Sequence, residues 1–359
     1  MAYDLQDLLK AMVDNGGSDL HLHVGVPPCL RIAGKIIQVQ GEALTPADTA
    51  AMAKTIMPPM QAERLERDGG CDFGFMHGTE GRRFRANVFR SKDSLGLVLR
   101  LITNKLYSLD QLRLPNKIKS LLRRSSGLIL VACPTGFGKS TTLAAMIDWI
   151  NNNEAGHVIT LEEPIEFIHS PKKCIISQRE VLTDVPTFEE GIRSALRQDP
   201  DVILVGEMRD LETMSAAVTA AETGHLVLAS LHTTGAGRTV DRIIDAFPDD
   251  SREQIRTQLA SSLLAIISQV LLKTKEGKRV AAFEIMIRTD AIAAKIRAKK
   301  TYLISSDIET GLARGMRTLD SDLLNLFKQG DVDEVEVMTY CQDVDAMKAR
   351  LKLHGGTVN

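Results

Sequence analysis

A chain of 359 residues, 44% hydrophobic and 25% charged, has the composition of a soluble globular protein and the length for two domains, each with its own core. Its 44 basic and 46 acidic side chains leave a net charge of −2, and aromatic residues make up 4%, which argues against recruitment to nucleic acid by an overall field. The most apolar stretch, Leu259 to Leu272, is broken by Ser261, Ser262, Ser268 and Gln269. It falls short of the roughly 20 residues of a membrane span, and the N-terminus shows no signal-peptide pattern. Five cysteines (Cys29, Cys71, Cys133, Cys174 and Cys341) form no C-x-x-C. Free thiols in a cytosolic protein are therefore expected, and a zinc site is not.

In chain order, Leu5, Leu8, Leu9, Met12 and Val13 fall on one face of a helix that Gly16-Gly17 terminates. Ser18 to Val24 alternates, with Leu20, Leu22 and Val24 on one side and His21 and His23 on the other. The histidine pair has no third ligand nearby, so a solvated sheet face is the expectation. Leu30 to Val39 reads as a hairpin turning at Ala33-Gly34-Lys35. Thr45-Pro46 is an N-cap followed by proline at the first helical position, in a helix ending before Pro58-Pro59. After a turn near Gly81, strands are expected over 83–89 and 95–102. Residues 1–103 thus form a small α+β domain dominated by antiparallel strands. It carries Arg82, Arg83, Arg85, Arg90 and Arg100. Such a stripe is ordinarily a solvated face; the sharper reading aims guanidinium groups at a phosphate.

Residues 104–116 form a linker, 117–287 an α/β domain with a parallel sheet covered by helices, and 288–359 a helical region. The centre of the second domain is 128–142, LILVACPTGFGKSTT. An apolar strand, a glycine-broken loop and a helix in that order make an anion site, because the backbone N–H groups of a helix's first turn point out of its positive end. Lys139 adds a charge, and the Ser140 hydroxyl is placed to ligate Mg²⁺. The strict phosphate-loop pattern fails at Cys133, which stands in place of a glycine. A left-handed backbone there would cost about 1–2 kcal/mol; if only space is needed, Cys is small enough. Phe137, before Gly138, is compatible with the site if its ring points outward.

Three more apolar strands end in chemically capable residues. The strand over 158–161 delivers Glu162, Glu163, Pro164, Ile165 and Glu166, where a carboxylate could orient or deprotonate a water, or simply line a surface loop. The strand over 202–205 ends in Gly206-Glu207, an acid able to hold Mg²⁺. His225 and His232 bracket the strand between them, roughly 23 Å apart in an extended chain, so they cannot share a metal. His232, at the carboxyl end, could approach a γ-phosphate, whereas His225 reads as structural or as a subunit contact.

The ordered set CPTGFGKSTT, ITLEEPIEF, LRQDPDVILVGEMRD and ETGHLVLASLHTT resembles the secretion ATPases of the PilT type, hexameric motors that retract bacterial type IV pili. The likeness covers nearly the whole chain, including SDLHLHVGVPP, GRRFRANVF and GMRTLD. It implies a PAS-like N-terminal domain, a RecA-like P-loop ATPase domain and a helical C-terminus, with six copies in a ring. ATP would bind at Pro134, Thr135, Gly136, Phe137, Gly138, Lys139, Ser140 and Thr141 of the Walker A loop, with Mg²⁺ at Ser140 and Glu207. The resemblance makes Glu166 the catalytic base, Glu207 the Walker B acid, and His225 and His232 the His box. Arg85, Arg100 and Arg113 match arginines that reach nucleotide across domain or subunit boundaries. It also implies an inner-membrane platform protein as partner, a paralogous pilus ATPase as a further one, and a place at the inner-membrane base of the pilus.

Four positions depart from the family pattern: Cys133, Phe137, Glu163 in place of Asp, and an eroded retraction motif in which only Ala291, Ile292, Ile296 and Arg297 survive. They leave open a catalytically weak, PilU-like accessory subunit. Pilus-extension or type II secretion ATPases usually carry additional N-terminal sequence and a four-cysteine motif, and neither is seen here. A RecA-like nucleic-acid motor is disfavoured by the charge and the few aromatics.

Overall fold

Alternation places Leu20 and Leu22 on one face of a strand, and both are fully buried in the computed structural model, which describes residues 3–77, 82–102 and 106–356. The chain divides into two units. The first comprises Met1–Lys105 with Glu162–Ile168 and Gln178–Thr187; the second comprises Leu106–Leu161, His169–Ser177 and Phe188–Asn359.

The first unit is built from α1 (Leu5–Asp14), β1 (Gly17–Leu22), β2 (Cys29–Ile32), β3 (Lys35–Gln38), α2 (Pro46–Ile56), α3 (Pro59–Asp68), β4 (Gly70–His77), β5 (Arg82–Ser91) and β6 (Ser94–Leu101). Its six strands are ordered β3-β2-β1-β6-β5-β4, and neighbours among the described residues pair antiparallel. Leu9, Met12, Leu20, Leu22, Met52, Phe73, Phe84 and Leu99 share one core between the sheet and its helices. The β2–β3 turn falls at Ala33-Gly34, both with positive φ, as two-residue hairpins require. Thr45 caps α2 in a reciprocal box with Asp48. Pro58-Pro59 ends α2 as expected but also opens α3, since proline at the first helical position loses no hydrogen bond. The expected turn near Gly81 lies outside the described residues.

The second unit contains α4 (Asn116–Leu121), β7 (Gly127–Ala132), α5 (Lys139–Asn153), β8 (Gly156–Glu162), β9 (Cys174–Glu180), α6 (Phe188–Ala195), β10 (Val202–Val205), α7 (Leu211–Glu222), β11 (Leu226–Leu231), α8 (Ala236–Asp245), α9 (Arg252–Ser262), β12 (Leu263–Lys273) and β13 (Arg279–Ile287). It is completed by α10 (Asp290–Arg297), α11 (Ile304–Thr310), α12 (Leu319–Lys328), α13 (Glu334–Tyr340) and α14 (Val344–Lys352). The sheet order is β13-β12-β7-β11-β10-β8-β9, with β12, β7, β11, β10 and β8 parallel and β13 antiparallel to β12. Strands β7, β10 and β11 are buried at every residue, which is why they read as unbroken apolar runs.

One boundary differs from the sequence reading. Residues 106–116 belong to the second unit rather than to a free linker, because Leu109 and Leu114 are buried there. The apolar stretch from Leu259 to Leu272 is split at Ser262 into the end of α9 and a sheet strand. No helix among the described residues is long and apolar enough to cross a membrane.

Candidate functional site

Three parallel neighbours, β7, β11 and β10, end on the same edge of the sheet. Their loops begin at Cys133, His232 and Gly206, at the carboxyl ends where open α/β sheets bind ligands. Helix α5 starts at Lys139 from Gly138, whose φ of +87° only glycine adopts without strain, and no side chain caps it. Helix α7, by contrast, is capped by the Asp210 carboxylate accepting from Thr213 N–H at 2.7 Å. The first-turn N–H groups of α5, which include those of Ser140 and Thr141, are thus left to serve an external anion.

The Lys139 ammonium donates to the Cys133 carbonyl at 2.9 Å, the Pro134 carbonyl at 3.4 Å and His232 Nδ1 at 3.1 Å. Because an ammonium only donates, Nδ1 is the accepting nitrogen, and the ring proton sits on Nε2. That nitrogen lies 2.8 Å from Glu207 Oε1, and Arg209 Nε lies at the same distance from the same oxygen. Burial alone would push the Glu207 carboxyl up; hydrogen bonds from Arg209 and His232 outweigh it and hold the group below its usual range. Thr135 Oγ1 also approaches His232 Nδ1, at 3.3 Å. A lysine, an imidazole and a carboxylate from three strand ends therefore form one hydrogen-bonded chain.

The two departures in the loop leave this geometry intact. Cys133 has no left-handed backbone and is fully buried, so the requirement there is space. Its N–H donates to Leu231 O at 3.2 Å, extending the β7–β11 pairing by one residue. Burial pushes its thiol up to about 11, against the pull of Lys139, so it is inert as a nucleophile. The Phe137 ring meets Tyr340 edge-on at 6.0 Å and packs against the C-terminal cluster of Val270, Leu323 and Leu326. Restoring Cys133→Gly or Phe137→Ser accordingly gives no gain in ATP turnover, and each lowers stability by about 1–2 kcal/mol. Turnover assays with urea unfolding check this; a several-fold gain in rate would mean that the native loop is impaired.

Beside the loop lies a cavity of about 490 Å³ whose lining includes Arg113, Gly138, Thr141, Gln269, Lys278 and Arg279. Arg113 has a positive φ of 60° and reaches Asp331 at 2.5 Å and Gln329 at 3.0 Å, which aligns it at the cavity wall. His225 is not brought to the site. Its Nδ1 lies 3.1 Å from the Ala220 carbonyl at the opposite end of β11.

Three expected site residues belong to the first unit. Arg85 donates to the Asp72 carboxylate, and that hydrogen bonding, reinforced by the charges of Asp72, Glu166 and Glu163, raises its pKa. Arg100 Nε donates to Asp19 at 2.7 Å while most of the Arg100 side chain stays exposed. The strand register lines up Arg31, Asp19, Arg100 and Arg85 in one row across β2, β1, β6 and β5. Glu166 sits in a loop tied down by Glu180, which accepts from Ile165 N–H at 3.2 Å and Gly74 N–H at 2.7 Å and pairs with Arg83. Among the described residues no cluster of three His, Cys, Asp or Glu could hold a metal alone. The polar groups to which sequence reasoning gave no role are Arg209, Gln269 and the cavity's Lys275 and Lys278; Arg209 was signalled only by its place after Glu207, and Gln269 as a break in an apolar run.

A mixed sheet with an uncapped glycine-loop helix, and a lysine and an acid after strands that flank a third followed by a histidine, defines a P-loop ATPase. Residues 5–306 match the model of the Type II/IV secretion system protein family, and the chain belongs to that family. It is 45% identical over 328 residues to the type IV pilus retractation ATPase PilT of Pseudomonas aeruginosa, covering 91% of this chain and 95% of that one. It is 37% identical over 351 residues to the type IV pilus ATPase PilU of the same organism, covering 98% and 92%. A crystal structure of the pilus retraction motor PilT with bound ADP superposes with a TM-score of 0.88 at 42% identity, over 97% of this chain and 99% of that one. The chain is an ATP-hydrolysing enzyme and a close homologue of the pilus retraction ATPases.

Proposed function

We propose that the protein is a Mg²⁺-dependent ATP hydrolase whose ring of six copies powers retraction of a type IV pilus from the cytoplasmic side of the inner membrane, against a platform protein there. The observation that carries this reading is the linked Lys139–His232–Glu207 chain beside the uncapped start of α5. Phosphate oxygens fit the first-turn N–H groups and the Lys139 charge. Ser140 and Glu207 would hold Mg²⁺, which takes one or two protein oxygens and completes its shell from phosphate and water; the ion would neutralise charge on the phosphates. Glu166 would orient the attacking water. His232 touches both the lysine and the acid, and so would sense the terminal phosphate. Arg113 would face the nucleotide from the cavity wall, while Arg85 and Arg100 would reach a neighbouring copy's nucleotide. His225, far from its own loop, would serve a contact between copies.

Two of the three grounds for the accessory, PilU-like alternative weaken, since Cys133 has an ordinary backbone and the Phe137 ring packs against Tyr340; the third, the eroded motif at 291–298, stands and keeps that alternative open. The test is phosphate release from ATP by the purified protein with Mg²⁺ and with excess chelator, alongside light scattering with and without nucleotide. Chelator-sensitive hydrolysis and a six-fold mass are expected. Absence of any heat of Mg-ATP association at millimolar ligand would overturn the reading.

A further inference from the structure

Adjacent residues of β12 point to opposite faces of the sheet, and each holds one of the loops at the site. Ser268 Oγ accepts from Gly235 N–H at 3.0 Å, and its cross-strand partner Glu284 accepts from Ala236 N–H at 2.7 Å; both bonds fix the segment that follows His232. Gln269 faces the other way and is 2% exposed. Its Nε2 donates to the Phe137 carbonyl at 2.5 Å, and its Oε1 accepts from Thr142 Oγ1 at 2.8 Å. A backbone carbonyl can only accept, so the amide orientation is fixed by its partners.

We infer that Gln269 is a positioning residue for the phosphate-binding loop, setting the direction of the Gly138 N–H and the seat of Lys139. The planar trans peptide supplies the lever. In the Phe137–Gly138 bond, C=O and N–H point in opposite directions, so an amide that holds the Phe137 oxygen turns the Gly138 N–H away from β12. The same amide grips Thr142 in the first turns of α5, so loop and helix start are clamped to one rigid strand. Gly138 is matched to this clamp: a Cβ there would sit 3.1 Å from Gln269 Nε2, on a backbone of positive φ. Such support from a residue whose own position is locked is what a tightly placed binding site requires.

The inference rests on the loop's being a nucleotide site, and the test separates the two. Gln269→Met keeps the volume and removes both hydrogen bonds; Gln269→Glu keeps the shape but sets a carboxylate against the Phe137 carbonyl. Calorimetry with ADP and with adenosine, which lacks phosphate, is run on the wild type and both variants, with unfolding curves. Loss of a buried hydrogen bond of this kind predicts an ADP affinity lower by on the order of 10–100-fold, with adenosine binding unchanged. Equal losses for ADP and adenosine overturn the positioning role, because Gln269 then acts on the nucleoside through the cavity it lines. Unchanged ADP affinity in folded variants overturns it as well. If neither variant folds, Thr142→Val carries the test: it leaves Gln269 in place but removes the hydroxyl that orients it, and an ADP-specific loss supports the role while no loss overturns it. A wild type without ADP affinity defeats the nucleotide reading, and this inference with it.

Discussion

Lys139→Ala lowers ATP turnover by on the order of 10³-fold, the scale set by removing a preorganised positive group from developing phosphoryl charge, while stability stays within about 0.5 kcal/mol. The side chain is only half-buried, and its acceptors include two main-chain carbonyls and an imidazole, which water can reach in the space the lysine leaves. Glu207→Gln has a different signature. The amide can still accept from Arg209 and from His232 Nε2, so the hydrogen-bonded chain persists and the charge alone is lost. Hydrolysis then falls while ADP binding survives, whereas Lys139→Ala weakens both. Steady-state phosphate release paired with ADP calorimetry distinguishes them; full turnover in either purified variant would falsify the assignment of this edge of the sheet as the hydrolytic site.

What was legible in the sequence was local. Strand, glycine loop and helix lie within fifteen consecutive residues, and the turn at Ala33-Gly34 and the cap at Thr45 depend on neighbours a few positions away. The site's electrostatics were not legible, because they depend on which strands become neighbours. His232 meets Lys139 only because β11 pairs with β7, and it meets Glu207 only because β10 lies on the other side of β11. A list of strands in chain order does not contain that order. The partners of Cys133 and Phe137 were hidden for the same reason: the ring finds Tyr340, two hundred residues on. Gln269 was visible only as a flaw in an apolar run, although both ends of its amide are bonded.

The arginines of β5 show how far such ambiguity reaches, and they give the second large prediction. Arg83 and Arg85 are two residues apart and share a face of the strand, so their spacing alone offers no reason to expect different contributions to stability. In the first unit Arg83 is nearly buried. It pairs with Glu180, 2% exposed, and donates from Nε to the Ile165 carbonyl at 3.2 Å. Arg85 pairs with a half-exposed Asp72. Arg83→Ala therefore lowers stability by about 3–5 kcal/mol, because it strands a carboxylate in a place water cannot reach. Arg85→Ala, at a solvated pair, loses about 1 kcal/mol or less. The Gly74 and Ile165 N–H groups still bond to Glu180 in Arg83→Ala, so the loop carrying Glu166 is loosened rather than released, and ATP turnover falls even where the protein remains folded. Gly74→Ala tests the same packing from the other side, since a methyl there would collide with the Arg83 guanidinium and with Glu180 Oε2. Urea unfolding of the three variants, with ATPase rates measured below each midpoint, checks the ranking: Arg83→Ala and Gly74→Ala low, Arg85→Ala near wild type in stability. An Arg83→Ala protein within about 1 kcal/mol of wild type would mean that this pair is hydrated and that the Glu166 loop is held by its own backbone instead.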